Sequence, residues 1–187
     1  MDSTAPTPVD ALRDKQLYLC CNLFIEPSSR WISDLNWRQP LMVPAGTPVK
    51  ATAGGRKTRT VITWDAASAT IEHRYGTREE STEDFLRKLL LERDPRPIIE
   101  QFPPLVRHAI AAAKVTPGMT RTQVLMAIGH PPTNATASPT MREWVYFIGP
   151  GQRVEVVFGA DGGVSEVAGL TTARASVLFT PQSGMRQ

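Results

Sequence analysis

The chain holds little cysteine, no long apolar run and no large excess of charge, and each of these absences excludes a class of protein. Its only cysteines are the neighbours Cys20 and Cys21, so a disulfide-framed mini-protein is ruled out. Adjacent residues on a strand point to opposite faces, and their Cα atoms lie closer than the ~4.4–6.8 Å a disulfide normally spans. The two are therefore expected as reduced strand residues, at least one of them buried. Tyr18 and Leu19 precede them where a lipoprotein acceptor would carry small residues. Unpaired thiols also sit awkwardly in an oxidising compartment. No stretch approaches the ~20 consecutive apolar residues of a spanning helix. No apolar core follows a basic start, so this numbering contains no signal peptide. A net charge of +3 without a dense basic stripe argues against a nucleic-acid partner.

The composition, 41% hydrophobic and 21% charged, is that of a globular chain, and 187 residues hold one ordinary domain or two small ones. Sixteen prolines predict short, interrupted elements. Residues 1–15 begin Met1-Asp2-Ser3-Thr4-Ala5-Pro6-Thr7-Pro8, polar and proline-bearing, and are expected to be loose. Such a stretch also suits the region just downstream of a cleaved leader, with Met1 an expression start.

Residues 16–76 read as a β-only region. Gln16 to Phe24 is apolar and β-prone, and Glu26-Pro27-Ser28-Ser29 makes a turn. The stretch from Trp31 to Trp37 lacks strict alternation. Val43-Pro44-Ala45-Gly46 fits a type I turn, and Ala53-Gly54-Gly55 a second reversal. Thr58 to Trp64 alternates most clearly, and Ala69 to Tyr75 returns after a turn at Asp65-Ala66-Ala67-Ser68. Short strands at close turn spacing suggest a small SH3-like barrel or curled sheet. The Pro44-Ala45-Gly46-Thr47-Pro48-Val49 stretch resembles bacterial SH3-like segments.

Residues 81–114 read as a helical connector. Ser81 is an N-cap candidate followed by acidic residues, and Phe85, Leu86, Leu89 and Leu90 form an apolar stripe broken at Asp94-Pro95. A second helix is expected from Leu105 to Lys114. Residues 115–170 read as an α/β module. Thr120-Arg121-Thr122-Gln123 has the spacing of a capping box, and Gly129 is expected at positive φ beyond Ile128, with Pro131-Pro132 preventing continuation. Three antiparallel strands follow at 143–148, 153–158 and 164–168, with Trp144, Val154 or Val156, and Val164 or Val167 on the packed face. Residues 171–187 are polar apart from Val177-Leu178-Phe179 and are expected to be loose.

Gly118-Met119-Thr120, Gln123-Val124-Leu125, Ile128-Gly129-x-Pro131, Trp144-x-Tyr146 and Val156-x-Phe158-x-x-Asp161-Gly162-x-Val164 occur in that order over the last third of the chain. This succession resembles the SmpA/OmlA (BamE-like) module. The resemblance implies a helix pair on a three-stranded antiparallel sheet and a bacterial envelope protein that supports outer-membrane protein assembly or binds other proteins. The fold class expected is therefore α+β, an SH3-like β region followed by a BamE-like module. The location implied is the periplasm or the inner face of the outer membrane if a leader was removed, and the cytoplasm otherwise. The β-rich region ahead of the module departs from the simple family pattern.

Chemistry is sparse. His73, His108 and His130 stand at no metal-ligand spacing from another His, Cys or carboxylate. Gly54-Gly55-Arg56-Lys57-Thr58 lacks the glycine and the following helix of a phosphate loop, and Gly163-Val164-Ser165 lacks the flanking glycine of a nucleophile elbow. The chain is expected to be non-catalytic, without cofactor or metal. Two surfaces are candidates for binding. The long polar loop 131–142 delivers Met141 and Arg142 beside Trp144, with Arg153 across the hairpin, residue types enriched at protein interfaces. The basic hairpin Arg56, Lys57 and Arg59, with Trp64, Arg74 and Tyr75 near it, offers the alternative: a lipid headgroup at an anionic membrane surface, a glycan or single-stranded nucleic acid. Solvated arginines protecting a sheet edge account for the same hairpin without a ligand.

Overall fold

The computed structural model describes Leu12 and residues 15–181, so the segment expected to be loose at 1–15 falls almost wholly outside the described residues. The chain is α+β, with three sheets and five helices among the described residues. In the first part run β1 (Leu17–Leu19), β2 (Leu23–Ile25), β3 (Trp31–Ser33), β4 (Leu41–Val43), β5 (Pro48–Ala53), β6 (Arg59–Trp64) and β7 (Ala67–Glu72). Next come α1 (Thr82–Leu89), β8 (Leu90–Leu91), α2 (Arg96–Glu100), α3 (Pro104–Ala111) and α4 (Arg121–Ile128). The chain then forms β9 (Glu143–Gly149), β10 (Gln152–Phe158), β11 (Val164–Gly169) and α5 (Thr171–Val177).

No helix lies between residues 16 and 75. The larger sheet has the order β3-β7-β6-β5-β1-β8, and β2 pairs with β4 in a sheet of two. Thr60 and Ile62 of β6 face inward while Arg59, Val61 and Thr63 face out, as period-2 alternation requires. Its last member, β3, lies parallel to β7, with Ile32 opposite Ile71 and Ser33 opposite Glu72. Ser81 caps α1 by accepting from the Asp84 amide, and Phe85, Leu86 and Leu89 bury the face that closes the sheet's core.

Cys20 and Cys21 break what reads as one strand, and here the structure corrects the expectation. The pair forms a bend between β1 and β2, and the two sulfurs are bonded to each other. Two reduced thiols follow from strand geometry, in which neighbouring side chains diverge. At a bend they do not.

In the second part the capping box is complete: Thr120 Oγ accepts from the Gln123 amide, and the Thr120 amide donates to Gln123 Oε1. Gly129 ends α4 at φ 86° and ψ −179°, so its φ is positive as expected while its ψ is extended rather than helical. The three expected strands form an antiparallel meander, order β11-β10-β9, with Val154 opposite Tyr146 and Val156 opposite both Trp144 and Val167. Trp144, Val154, Val156, Val164 and Val167 are buried in a second core with α3 and α4. The tail departs from expectation over residues 171–181, and residues 182–187 lie outside the described residues. Residues 171–177 form α5, with Ala173 and Val177 buried, and the chain beyond it is held by a pair of backbone bonds between Val115 and Val177/Phe179.

The two cores meet across a polar seam. Asn22, almost fully buried, donates from Nδ2 to the carbonyls of Ile110 (2.6 Å) and Ala127 (2.8 Å) and accepts on Oδ1 from the Ala45 amide. Asn36 donates to the carbonyls of Asn22 and Ile128, and Arg38 to those of Ala112 and Ala113. Tyr146 adds its hydroxyl to the Gly129 carbonyl. Helix C-terminal carbonyls left open by α3 and α4 are thus satisfied by side chains of the β region, which ties the two parts together.

Candidate functional site

The seam fixes the loop 34–39, and with it one wall of an aromatic-lined groove on the surface. Phe24 of β2, Glu26 and Ser29 of the following turn, Trp31 and Ser33 of β3, Trp37 and Gln39 of the loop, Glu72 of β7, and Arg74 and Tyr75 beyond it enclose about 190 Å³. Parallel pairing brings β3 beside β7, which sets Trp31 and Ser33 on the outward side next to Glu72. Asp34 builds the opposite rim. Its buried Oδ2 accepts from three successive amides, Arg74 (2.8 Å), Tyr75 (2.7 Å) and Gly76 (3.1 Å), so the chain leaving β7 is held in one shape.

The aromatic rings are unusually available for their size: Trp31 is 37% and Tyr75 42% exposed. Trp37 and Tyr75 are tilted neighbours with centroids 6.3 Å apart. Three arginines stack on the lining rings: Arg59 over Trp31 at 4.4 Å, Arg38 over Phe24 at 5.0 Å and Arg74 over Tyr75 at 5.6 Å. Their charges are differently committed. Arg59 pairs with Glu72 through Nε at 2.9 Å, and Arg38 is spent on seam carbonyls. The Glu26 carboxylate accepts from the hydroxyls and amides of Ser28 and Ser29, which hold its pKa down to about 2. Only Arg74, of the ionic groups lining the groove, has no ion pair or side-chain hydrogen bond among the described residues.

The loop–strand surface read from the sequence is taken apart by the structure. Trp144 is fully buried, edge-on to Phe158 at 4.8 Å, and offers nothing to a partner. Met141 is 42% exposed and Arg142 is exposed, with Nε donating to the Phe158 carbonyl. Arg153 is also exposed, but it stands opposite Phe147 near the far end of the hairpin, roughly 17 Å of strand from Arg142. The loop itself is pinned: Thr136 is buried and its hydroxyl accepts from the Val145 amide. The basic hairpin is divided as well. Arg56 and Lys57 are exposed at the β5–β6 turn, while Arg59 lies under Trp31 and against Glu72. Trp64 turns to the core side, with Arg30 over its ring.

A second cluster lies at the junction of α1 with the loop after α4. His73 is buried and stacks on Phe85 at 4.5 Å, with Nδ1 3.1 Å from the Thr82 hydroxyl, and burial lowers its pKa. His130 is pushed down to about 4 by burial and by the Lys88 cation. Lys88 itself pairs with Glu80. The cavity between them is only about 20 Å³, room for a single water, so these groups act as a joint and not as a ligand site. His108 is exposed on α3, and no group of three or more metal-ligating side chains occurs among the described residues.

The sequence named Arg59, Arg74 and Tyr75 but missed Phe24, Trp31 and Trp37 as their neighbours. The signal available was two tryptophans six positions apart in a stretch without strand alternation, which is how a rim looks when it is not a regular strand. No protein-family model, no curated protein and no solved structure matches the chain.

Proposed function

We propose that this chain is a non-catalytic binding module of the bacterial cell envelope, and that it engages its ligand through the aromatic groove between β3, β7 and the loop 34–39. The observation that carries the reading is the concentration of exposed Trp31 and Tyr75, with half-buried Trp37 of the loop, around one concavity whose backbone is held by Asp34. Aromatic surface left open around a concavity, with a few polar groups beside it, is the usual lining of a ligand site. Support for the envelope setting is the motif order of the SmpA/OmlA (BamE-like) resemblance, together with the helix pair and antiparallel meander that the resemblance implies. No helix among the described residues is long and apolar enough to cross a membrane. In this reading the α/β module is a platform, and the seam transmits its rigidity to the groove.

The test compares three surfaces in one experiment. Wild type and the variants Trp31→Ala/Tyr75→Ala, Arg142→Glu/Arg153→Glu and Arg56→Glu/Lys57→Glu are titrated against fractionated envelope material, membrane proteins and cell-wall glycans separately. Binding is expected to fall at least tenfold only in the groove variant. Retention there, with loss in either arginine variant, overturns the assignment in favour of the corresponding surface.

A further inference from the structure

We propose that the groove takes a carboxylate-bearing sugar residue of a glycan, its C–H face on the exposed rings and its carboxylate on Arg74; this rests on the groove being the binding site. Size comes first. At about 190 Å³ the concavity is smaller than the ~300–1,000 Å³ of drug-sized pockets, so it accepts one ring-sized group and not a nucleotide or a large cofactor. Its lining is of two kinds, aromatic surface and neutral hydrogen-bonding side chains. Gln39 offers a donor and an acceptor, and the hydroxyl oxygens of Ser29 and Ser33, whose hydrogens are directed at Glu26 and Asp34, offer acceptors to a ligand dense in hydroxyls. Pyranose rings combine such a hydroxyl rim with an apolar face, which matches this division.

Charge then selects among sugars. The Glu26 carboxylate keeps its charge, but its oxygens are filled by Ser28 and Ser29, and Glu72 is paired with Arg59, so neither offers an open acceptor site to a ligand. The cation lining the groove without a side-chain partner among the described residues is Arg74, whose planar guanidinium fork suits a carboxylate. Two other occupants of aromatic grooves fit less well. Single-stranded nucleic acid requires a positive track along its backbone, and among the described residues this groove has one free cation. A proline-rich segment presents tertiary amide carbonyls, which accept from Gln39 but bring no donor to the serine oxygens and no anion to Arg74.

The experiment titrates the intrinsic tryptophan fluorescence of the full chain with three probes: a glucuronic-acid-containing tetrasaccharide, the same tetrasaccharide with its carboxyls reduced to alcohols, and a proline-rich decapeptide. The acidic sugar is expected to bind about threefold to fivefold more tightly than the reduced one, the order of gain from one partly exposed charge pair. Arg74→Gln should erase that preference while leaving the affinity for the reduced sugar unchanged. Trp31→Ala should abolish binding of both sugars, and Trp31→Phe should retain part of it, with thermal melting establishing that each variant is folded. If the acidic preference survives Arg74→Gln, the pairing is wrong. If the decapeptide binds in a Trp31-dependent manner and neither sugar does, the ligand class is wrong while the groove stands. If binding of every probe ignores both Trp31→Ala and Tyr75→Ala, the groove assignment itself falls.

Discussion

Replacing Gly129 by alanine should destabilise the protein far more than an ordinary helix cap would. As a left-handed cap, the position would lose about 1 kcal/mol on gaining a Cβ. The observed φ of 86° with ψ of −179° belongs to a region that only glycine occupies readily, where a side chain costs about 1–3 kcal/mol. A Cβ built there would lie 2.7 Å from Nδ2 of Asn36. That nitrogen donates to the Asn22 and Ile128 carbonyls, so it must withdraw and surrender two bonds of the seam, each worth about 1 kcal/mol. The two contributions together give roughly 3–5 kcal/mol.

The assay is urea denaturation of wild type, Gly129→Ala, Asn36→Ala and the double variant. Because the alanine acts partly by displacing Asn36, the losses should not add: the double variant should be less destabilised than the sum by about 1–2 kcal/mol. A Gly129→Ala midpoint within experimental error of wild type would refute the backbone argument. Full additivity would refute the collision with Asn36.

Acid should loosen the joint between α1 and the loop after α4. His130 and His73 have folded pKa values below the ordinary histidine value, so the unfolded chain binds more protons; the stability they contribute is whole above about pH 6.5 and declines below it, the His130 share being lost as pH falls toward 4. For His130 the full loss is at most about 3 kcal/mol, less what its partial exposure screens, and a denaturation midpoint that stays flat from pH 7 to 5 would contradict it. Asp34→Asn should cost about 2–3 kcal/mol by weakening three amide bonds to a buried carboxylate, read as a lowered melting temperature with exchange broadening of the Tyr75 amide. The Cys20–Cys21 bond predicts that the denatured, unreduced chain takes up no thiol-alkylating reagent and gains two adducts after reduction. Trp144→Ala should destabilise by about 3–5 kcal/mol as a core truncation, whereas Arg142→Glu and Arg153→Glu should stay within about 0.5 kcal/mol of wild type.

Where structure is decided within a few residues, the sequence displays it. The Ser81 and Thr120 caps satisfy amides only three positions ahead, and Asp161-Gly162-Gly163 reverses a hairpin whose strands alternate on either side, so α1, α4 and the meander are all legible. Elements held by distant partners are not. The β3 strand is three residues long and pairs in parallel with β7 across some forty positions, a register that no local pattern announces. Likewise α5 offers only Ala173 and Val177 to its core and is held at its end by Val115, more than fifty positions back. Trp144 could be read from its strand both as a packed residue and as a contact residue. Its neighbours on the same face, across the sheet at Val156 and beside it at Phe158, decide for packing.

The groove illustrates the same division and explains why its two halves differ in legibility. Arg59, Arg74 and Tyr75 belong to one hairpin and its exit, and their proximity is visible in the chain. Trp31 reaches them through the pairing of β3 with β7, and Phe24 and Trp37 through Asn36, which accepts from the Phe24 amide, and Arg38, both bonded to carbonyls at the ends of α3 and α4, some 75–90 residues away. The consequence is physical as well as interpretive. The seam and the groove share the loop 34–39, with Asp34 turned to the rim at one end and Arg38 to the α/β module at the other. Breaking the seam must therefore disturb Trp37 while leaving the hairpin residues Arg59 and Glu72 in their register on β6 and β7. The Asn36→Ala variant already required for the Gly129 cycle separates these effects: it should weaken a groove ligand without disturbing the Arg59–Glu72 pair. Unchanged ligand affinity in that variant would mean that the platform and the site are independent.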